Sequence, residues 1–171
     1  MRASIKSGLI AVLLASGAAI LYGMNSLQKT PTSNARSDAD VLQLLDRFAD
    51  AWNRHDLDAL MALFADDCVF ESSGGDKVNG QTYAGRDEVL GAFARVFESM
   101  PDAHWGGGRH YVVGPGYGVS EWTLTGTLLD GRRLEVNGCD FLTMTEAGIT
   151  RKNSYRKQRP PIDAREPSPN R

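Results

Sequence analysis

Val119-Ser120-Glu121-Trp122-Thr123-Leu124-Thr125, then Asp130-Gly131, then Leu134-Glu135-Val136-Asn137-Gly138-Cys139-Asp140-Phe141-Leu142 is the stretch on which the fold turns. Both runs read as strands, and Asp-Gly between them is a strong hairpin signal. A type I′ turn needs φ > 0 at both central residues, which Asp-Gly tolerates. A two-residue loop pairs Leu129 with Arg132, and counting outward sets Glu121 opposite Asp140. Facing side chains on one side of an antiparallel pair lie about 5 Å apart at Cβ. Asp140 shares its face with Leu134, Val136, Gly138, Leu142 and Met144, which marks that face as interior. Two carboxylates there do not both ionise cheaply, so the expectation is a paired-acid site with Asp140 protonated near neutral pH. The same count turns Thr123 and Thr125 inward and Trp122 and Leu124 outward, the reverse of an ordinary core strand. A polar-lined cavity resolves that reversal; so does a β-bulge that moves the register by one residue. Lys152 is the competing partner, and pairing with it would make Asp140 a structural carboxylate.

Upstream of the hairpin the period changes to that of helices. Val41, Leu44, Leu45, Phe48 and Trp52 fall on one stripe, which predicts a helix over Asp38–Asn53 capped by Ser37 or Asp38. Asp56 caps a second helix carrying Leu57, Leu60, Met61 and Phe64. A short strand follows through Cys68–Ser72, then a glycine-containing loop or weak hairpin over Ser73–Tyr83. Gly85 opens a third helix with Val89, Phe93, Val96 and Phe97 on one side, ended by Pro101-Asp102. Further strands are expected near 103–113, 119–129, 132–145 and 149–158. The fold class is α+β: a cone-shaped, curled antiparallel sheet packed against three N-terminal helices. The outward Trp122, Leu124, Cys139 and Phe141 give the sheet an apolar outer face, which predicts a homodimer through that face with Trp122 central.

The 171 residues suffice for one domain with extensions, and a net charge of −2 with no long basic block predicts no nucleic-acid partner. In residues 1–25, Arg2 and Lys6 precede an uncharged apolar run from Gly8 to Met24, the pattern of a signal peptide or an N-terminal membrane anchor. Ser16-Gly17-Ala18 offers a cleavage site, whereas Ile20-Leu21-Tyr22 continue the apolar run, so both readings stand. Either predicts a membrane-anchored or exported protein; translation from Met24 instead gives a cytoplasmic one. Residues 26–36 read as a linker, 37–158 as the folded domain, and 159–171, with four prolines, as a disordered tail. Cys68 and Cys139 fall on opposite faces of their strands, so no disulfide is expected. No histidine spacing suits a metal, and Gly106-Gly107-Gly108 lacks the Lys-Ser or Lys-Thr of a phosphate loop, so no metal or cofactor is expected.

Ala51-Trp52-Asn53-Arg54-His55-Asp56-Leu57-Asp58-Ala59-Leu60 and Phe64-Ala65-Asp66-Asp67-Cys68-Val69-Phe70, in that order of elements, resemble the nuclear transport factor 2-like superfamily. The SnoaL-like, ketosteroid-isomerase-like group is the branch it most resembles. Tyr83-Ala84-Gly85-Arg86-Asp87-Glu88-Val89, Asn137-Gly138-Cys139-Asp140 and Ser154-Tyr155-Arg156-Lys157 extend the match over nearly the whole folded unit. The superfamily holds isomerases, cyclases, dehydratases, epoxide hydrolases and non-catalytic modules, so the resemblance implies a fold before a reaction. It places Asp140 where steroid isomerases carry a protonated aspartic acid of the oxyanion hole. The isomerase tyrosine position reads Phe48 and the base position Ser72. The Asp-Arg-Asp set of limonene-epoxide-hydrolase-like members is also missing, those positions reading Leu124 or nearby, Trp122 and Ser154.

The candidate catalytic set is therefore Glu121 as base and Asp140 as protonated donor, assisted by His110 beside the glycine run and by Lys152. Phe48, Trp52, Phe70, Ser72, Phe97, Thr123 and Ser154 are the candidate ligand-binding residues. Asp56 reads as a helix cap and His55 as part of a short turn, both structural, because a capping side chain is already committed to backbone N–H groups. The expected partners are a small apolar organic ligand, a second copy of the chain, and a membrane through the N-terminal segment. The function implied is small-molecule binding, with cofactor-free isomerase, cyclase or dehydratase chemistry on a carbonyl compound as its catalytic form. The alternative class is a non-catalytic, membrane-tethered ligand-binding or dimerisation module.

Overall fold

The computed structural model describes residues 36–163. The expected signal or anchor, most of the linker and residues 164–171 lie outside them; no helix among the described residues is long and apolar enough to cross a membrane. Helix α1 spans Asp38–Asn53, with the Ser37 hydroxyl accepting from the Asp40 N–H at 3.3 Å, and the whole expected stripe is buried. The chain then turns sharply. His55 takes a left-handed backbone (φ 53°), and Asp56 caps the short α2 (Leu57–Met61) by accepting from the Ala59 N–H at 2.9 Å. Strand β1 (Phe64–Glu71), β2 (Thr82–Ala84), helix α3 (Arg86–Ser99), β3 (His104–Gly114), β4 (Tyr117–Thr127), β5 (Arg133–Thr145) and β6 (Gly148–Arg156) complete the domain.

The strands form one curled, unclosed sheet in the order β2-β1-β6-β5-β4-β3. Four neighbouring pairs are antiparallel, as expected, and β1 with β6 is parallel, so the sheet is mixed. Helix α1 packs on β3 and β4, and α3 on β1 and β2, which closes a concave inner face. The core fills the narrow end of the cone with Leu45, Phe48, Leu60, Phe64, Phe93 and Leu142.

The hairpin register differs from the expected one by a single residue. Gly131 has φ 83°, whereas Asp130 keeps φ < 0, so the type I′ turn does not form. The Leu128 N–H donates to the Arg132 carbonyl and the Gly131 N–H to the Leu128 carbonyl, both at 2.8 Å. This is a three-residue loop with glycine in the left-handed position. Leu128 consequently pairs with Arg132, Glu121 faces Cys139, and Ser120 faces Asp140. The reversal in the β4 pattern disappears: Leu124 is buried and Trp122 points inward, so neither lies on the outer face where the dimer expectation placed them. The outer face keeps an aromatic strip in which Phe141 contacts Tyr117 and Tyr155 at ring-centre distances of 6.3 and 5.6 Å.

Trp122 lies flat over Gly138, its cross-strand partner. A Cβ at Gly138 would sit 2.2 Å from the indole and 2.5 Å from the Tyr155 carbonyl oxygen, and the latter is backbone that cannot swing aside. Gly138→Ala is expected to lower stability by about 2 kcal/mol through this overpacking, as read by urea unfolding; an unchanged midpoint would mean that the indole does not rest on β5.

Candidate functional site

Asp140 sits on the central strand β5, between Ser120 on β4 and Ser154 on β6. Lys152 is one step along β6, beside Phe70 of the parallel strand β1. The Lys152 ammonium donates to Asp140 Oδ1 at 2.7 Å and to the Ser154 hydroxyl at 2.5 Å. The Ser154 hydroxyl donates to the same Oδ1 at 2.6 Å, and the Trp122 indole N–H to Oδ2 at 3.0 Å. Lys152 is 3% exposed and Asp140 4%. A carboxylate that accepts from a cation, a hydroxyl and an indole is set up as the ionised, acceptor-only form. The protonated Asp140 expected from a paired acid is thus corrected: the second acid is on the other face, and a lysine stands in its place.

Three rings surround the ammonium. Lys152 Nζ lies 4.8 Å from the centre of Phe70, 5.3 Å from Trp52 and 5.9 Å from Phe48, within range of the attraction between a cation and a ring face. Lys152 forms part of the wall of a cavity of about 660 Å³, with Asp140 behind it. Trp52, Trp105, Trp122, Phe70 and Tyr83 supply its aromatic lining, and Ser72, Ser154 and Gln81 its neutral polar groups. That volume suits a ligand of one to a few rings. Residues 159–163, read from the sequence as the start of a tail, run along β5. Ile162 and Arg133 exchange both backbone hydrogen bonds at 2.8 Å, and this brings Arg159 and Pro161 to the cavity.

The comparisons with known proteins agree with this architecture. Residues 45–152, more than half of the chain, match the model of the SnoaL-like domain. The chain belongs to the SnoaL-like domain family. No curated protein matches it. Among solved structures, a candidate polyketide cyclase from Xanthomonas campestris pv. campestris is 20% identical, with a TM-score of 0.62 over 69% of this chain and 90% of that one. A candidate polyketide cyclase from Silicibacter sp. TM1040 is 16% identical, with a TM-score of 0.62 over 72% and 91%. A protein of ketosteroid isomerase-like fold from Catenulispora acidiphila, solved with trimethylamine, is 24% identical, with a TM-score of 0.56 over 66% and 84%. At these identities the likeness is one of fold.

Within this SnoaL-like domain, Lys152, Ser154, Trp52, Phe70 and Ser72 line the cavity, and Asp140 stands directly behind Lys152. Other candidates lie elsewhere. Glu121 is on the outer face, paired with Arg109 at 2.9 Å and approached by the Tyr111 hydroxyl at 3.4 Å, so it is no base for this cavity. Thr123 is also outside, donating to Asn137 Oδ1 at 2.9 Å. Phe48 belongs to the core behind the ammonium, and Phe97 stacks on the His55 ring at 4.2 Å instead of lining the cavity. His55 is structural, its Nε2 lying 2.8 Å from the Ala103 carbonyl oxygen. Asn53 joins α1 to β3 through two hydrogen bonds with the Trp105 backbone. Arg86 is spent on the Phe64 carbonyl at 2.7 Å. Burial raises both thiols above the ordinary cysteine value, Cys139 further through Asp140 and Glu121, so neither is an activated nucleophile. Among the described residues no cluster suits a metal ion.

His110 is corrected as well. It packs beneath α1, with Nδ1 buried and unpartnered and Nε2 3.5 Å from Asp46, and it does not line the cavity. Burial pushes its imidazole below the ordinary value of 6.5, and the carboxylate of Asp46 offsets this only in part. The folded state therefore holds it neutral while the unfolded chain takes up a proton as pH falls below 6.5. Stability should decline through that interval, and His110→Phe should flatten the decline in pH-dependent melting; an equally steep profile would show that another group is responsible.

Removing one member of the buried pair leaves the other uncompensated. Asp140→Asn should lose about 3 kcal/mol, because it strands the ammonium. Lys152→Met together with Asp140→Asn should regain most of that loss, since no charge is left buried. A full double-mutant cycle by chemical unfolding measures both; strict additivity would mean that the two groups do not pair in solution.

Proposed function

We propose that this domain binds a small, largely apolar carbonyl compound in the cavity and polarises its oxygen with Lys152. The supporting observation is the engagement of the ammonium. Two of its three N–H groups are held by Asp140 and Ser154, and the third has no protein acceptor among the described residues. Asp140 and Ser154 hold the ammonium in place, the rings pack around it, and the cavity gives a ligand access to it. A ligand oxygen that accepts the third N–H would have its developing negative charge met by a fixed cation in a low-dielectric wall, where such interactions are strongest.

The lining also limits the chemistry. It contains no carboxylate, so the site supplies an electrophile and no matching base. Base-driven isomerisation of an unactivated ketone is poorly served, because Glu121 is outside and the base position is the hydroxyl of Ser72. Cyclase-type ring closure of a substrate with an already acidic carbon fits this arrangement: that carbon loses its proton to water, the new C–C bond forms at the carbonyl carbon polarised by Lys152, and the resulting alkoxide takes a proton back from water. The non-catalytic alternative uses the same contacts and stops at binding.

All three tryptophans of the chain line the cavity, so their fluorescence reports its occupancy. Acetylnaphthalene should bind about tenfold more tightly than ethylnaphthalene, which has the same shape without the oxygen, the gain expected of one charge-assisted hydrogen bond. The Lys152→Met/Asp140→Asn protein should bind the two alike. Equal affinities for the wild-type protein, or a preference that survives in the double variant, would overturn the reading.

A further inference from the structure

The charges around the cavity are of one sign. Arg95, Lys152, Arg156 and Arg159 all line it, and no aspartate or glutamate does. Two of these cations are neutralised from behind: Lys152 by Asp140, and Arg159 by Glu135 at 3.2 Å. Arg95 and Arg156 have no carboxylate within ion-pair distance among the described residues, and both are exposed, which places them at the mouth. Arg95 is steadied by the face of Tyr83, its guanidinium 5.3 Å from the ring centre. Tyr83 stacks on Phe70 at 5.7 Å, and Phe70 faces the Lys152 ammonium at 4.8 Å. A ladder of two rings thus runs along the wall from the buried cation to a rim cation. Arg156 is on the same face of β6 as Lys152, four residues on, which is about 13 Å along an extended strand.

We propose that the ligand is an anion: a carboxylate-bearing compound whose acidic group lies between Arg95 and Arg156 at the mouth while its flat apolar body follows the ring ladder inward. This rests on the cavity reading above and specifies the ligand class. Guanidinium pairs are suited to carboxylates, which they bind through parallel N–H donors. The rim is wet, so each arginine adds little affinity alone. Their joint effect is selectivity for the acid over its neutral analogue, together with attraction of anions toward the cavity.

An acetylnaphthoate with its acetyl and carboxylate groups at opposite ends of the two rings, and its methyl ester, test this by calorimetric titration. The acid should bind about tenfold more tightly than the ester at low salt, with the advantage shrinking as salt rises. In Arg95→Gln/Arg156→Gln the two compounds should bind alike, with the melting curve unchanged. Both arginines are exposed, so the fold does not depend on them. Equal binding of acid and ester, or an acid preference that persists without the arginines, overturns the anionic ligand and leaves the carbonyl reading in place. Binding of neither compound overturns both.

Discussion

The ammonium of Lys152 is held in the protein interior by one carboxylate, and much of the inner architecture is arranged around that pair. Taking either charge out of water alone is costly by several kcal/mol. The structure offsets this with a complete set of partners: Asp140 receives Lys152, Ser154 and Trp122, and the ammonium rests among Phe48, Trp52 and Phe70. The contributors come from five elements spread along the chain: α1, β1, β4, β5 and β6. A buried apolar pair of similar size would serve stability as well, so the retention of charges beside an open cavity is what directs attention to ligand binding.

That pair depends in turn on the register of the β4–β5 hairpin. One residue of slip would replace Trp122 by Glu121 on the inner face, and two acids would then compete for one lysine. The loop prevents this by using a single left-handed residue, Gly131, in place of two. Gly138 completes the arrangement, because only a residue without Cβ lets the indole lie close enough to β5 for its N–H to reach Asp140.

The two faces of the sheet divide the polar chemistry. On the outer face Glu121, Arg109 and Tyr111 satisfy one another in contact with solvent, where an ion pair contributes little. On the inner face the charges are sparse and buried, with a rim of cations at the open end. His55, Asn53 and Asp56, a polar sequence of catalytic appearance, are used to turn the chain and to fasten α1 and α2 against β3. Asp56 meets the need of a helix-end N–H for a partner, while Asn53 and His55 are consumed by backbone groups at the start of β3.

Local patterns in the sequence determined the elements and their class. The stripe from Val41 to Trp52, the cap at Asp56 and the glycine before α3 act within a few residues of themselves, so the three helices were legible, as were the strands β3 to β6 and the α+β order. Lys152, Ser154 and Phe70 were legible as inward residues through alternation along their strands, Trp52 through the apolar stripe of its helix, and Ser72 through the family resemblance. Which side chains meet across strands was decided only by tertiary structure. A dipeptide such as Asp130-Gly131 is compatible with a two-residue or a three-residue loop, and the choice moves every cross-strand neighbour by one position. Packing of Trp122 and Leu124 with Met100 and Ala103 favours the longer loop, and that energy lies in contacts with residues far away in the sequence. The parallel pairing of β1 with β6, the seat of His110 beneath α1, and the return of Ile162 to β5 belong to the same class of fact: each is a long-range contact whose stabilisation no local stretch of sequence contains.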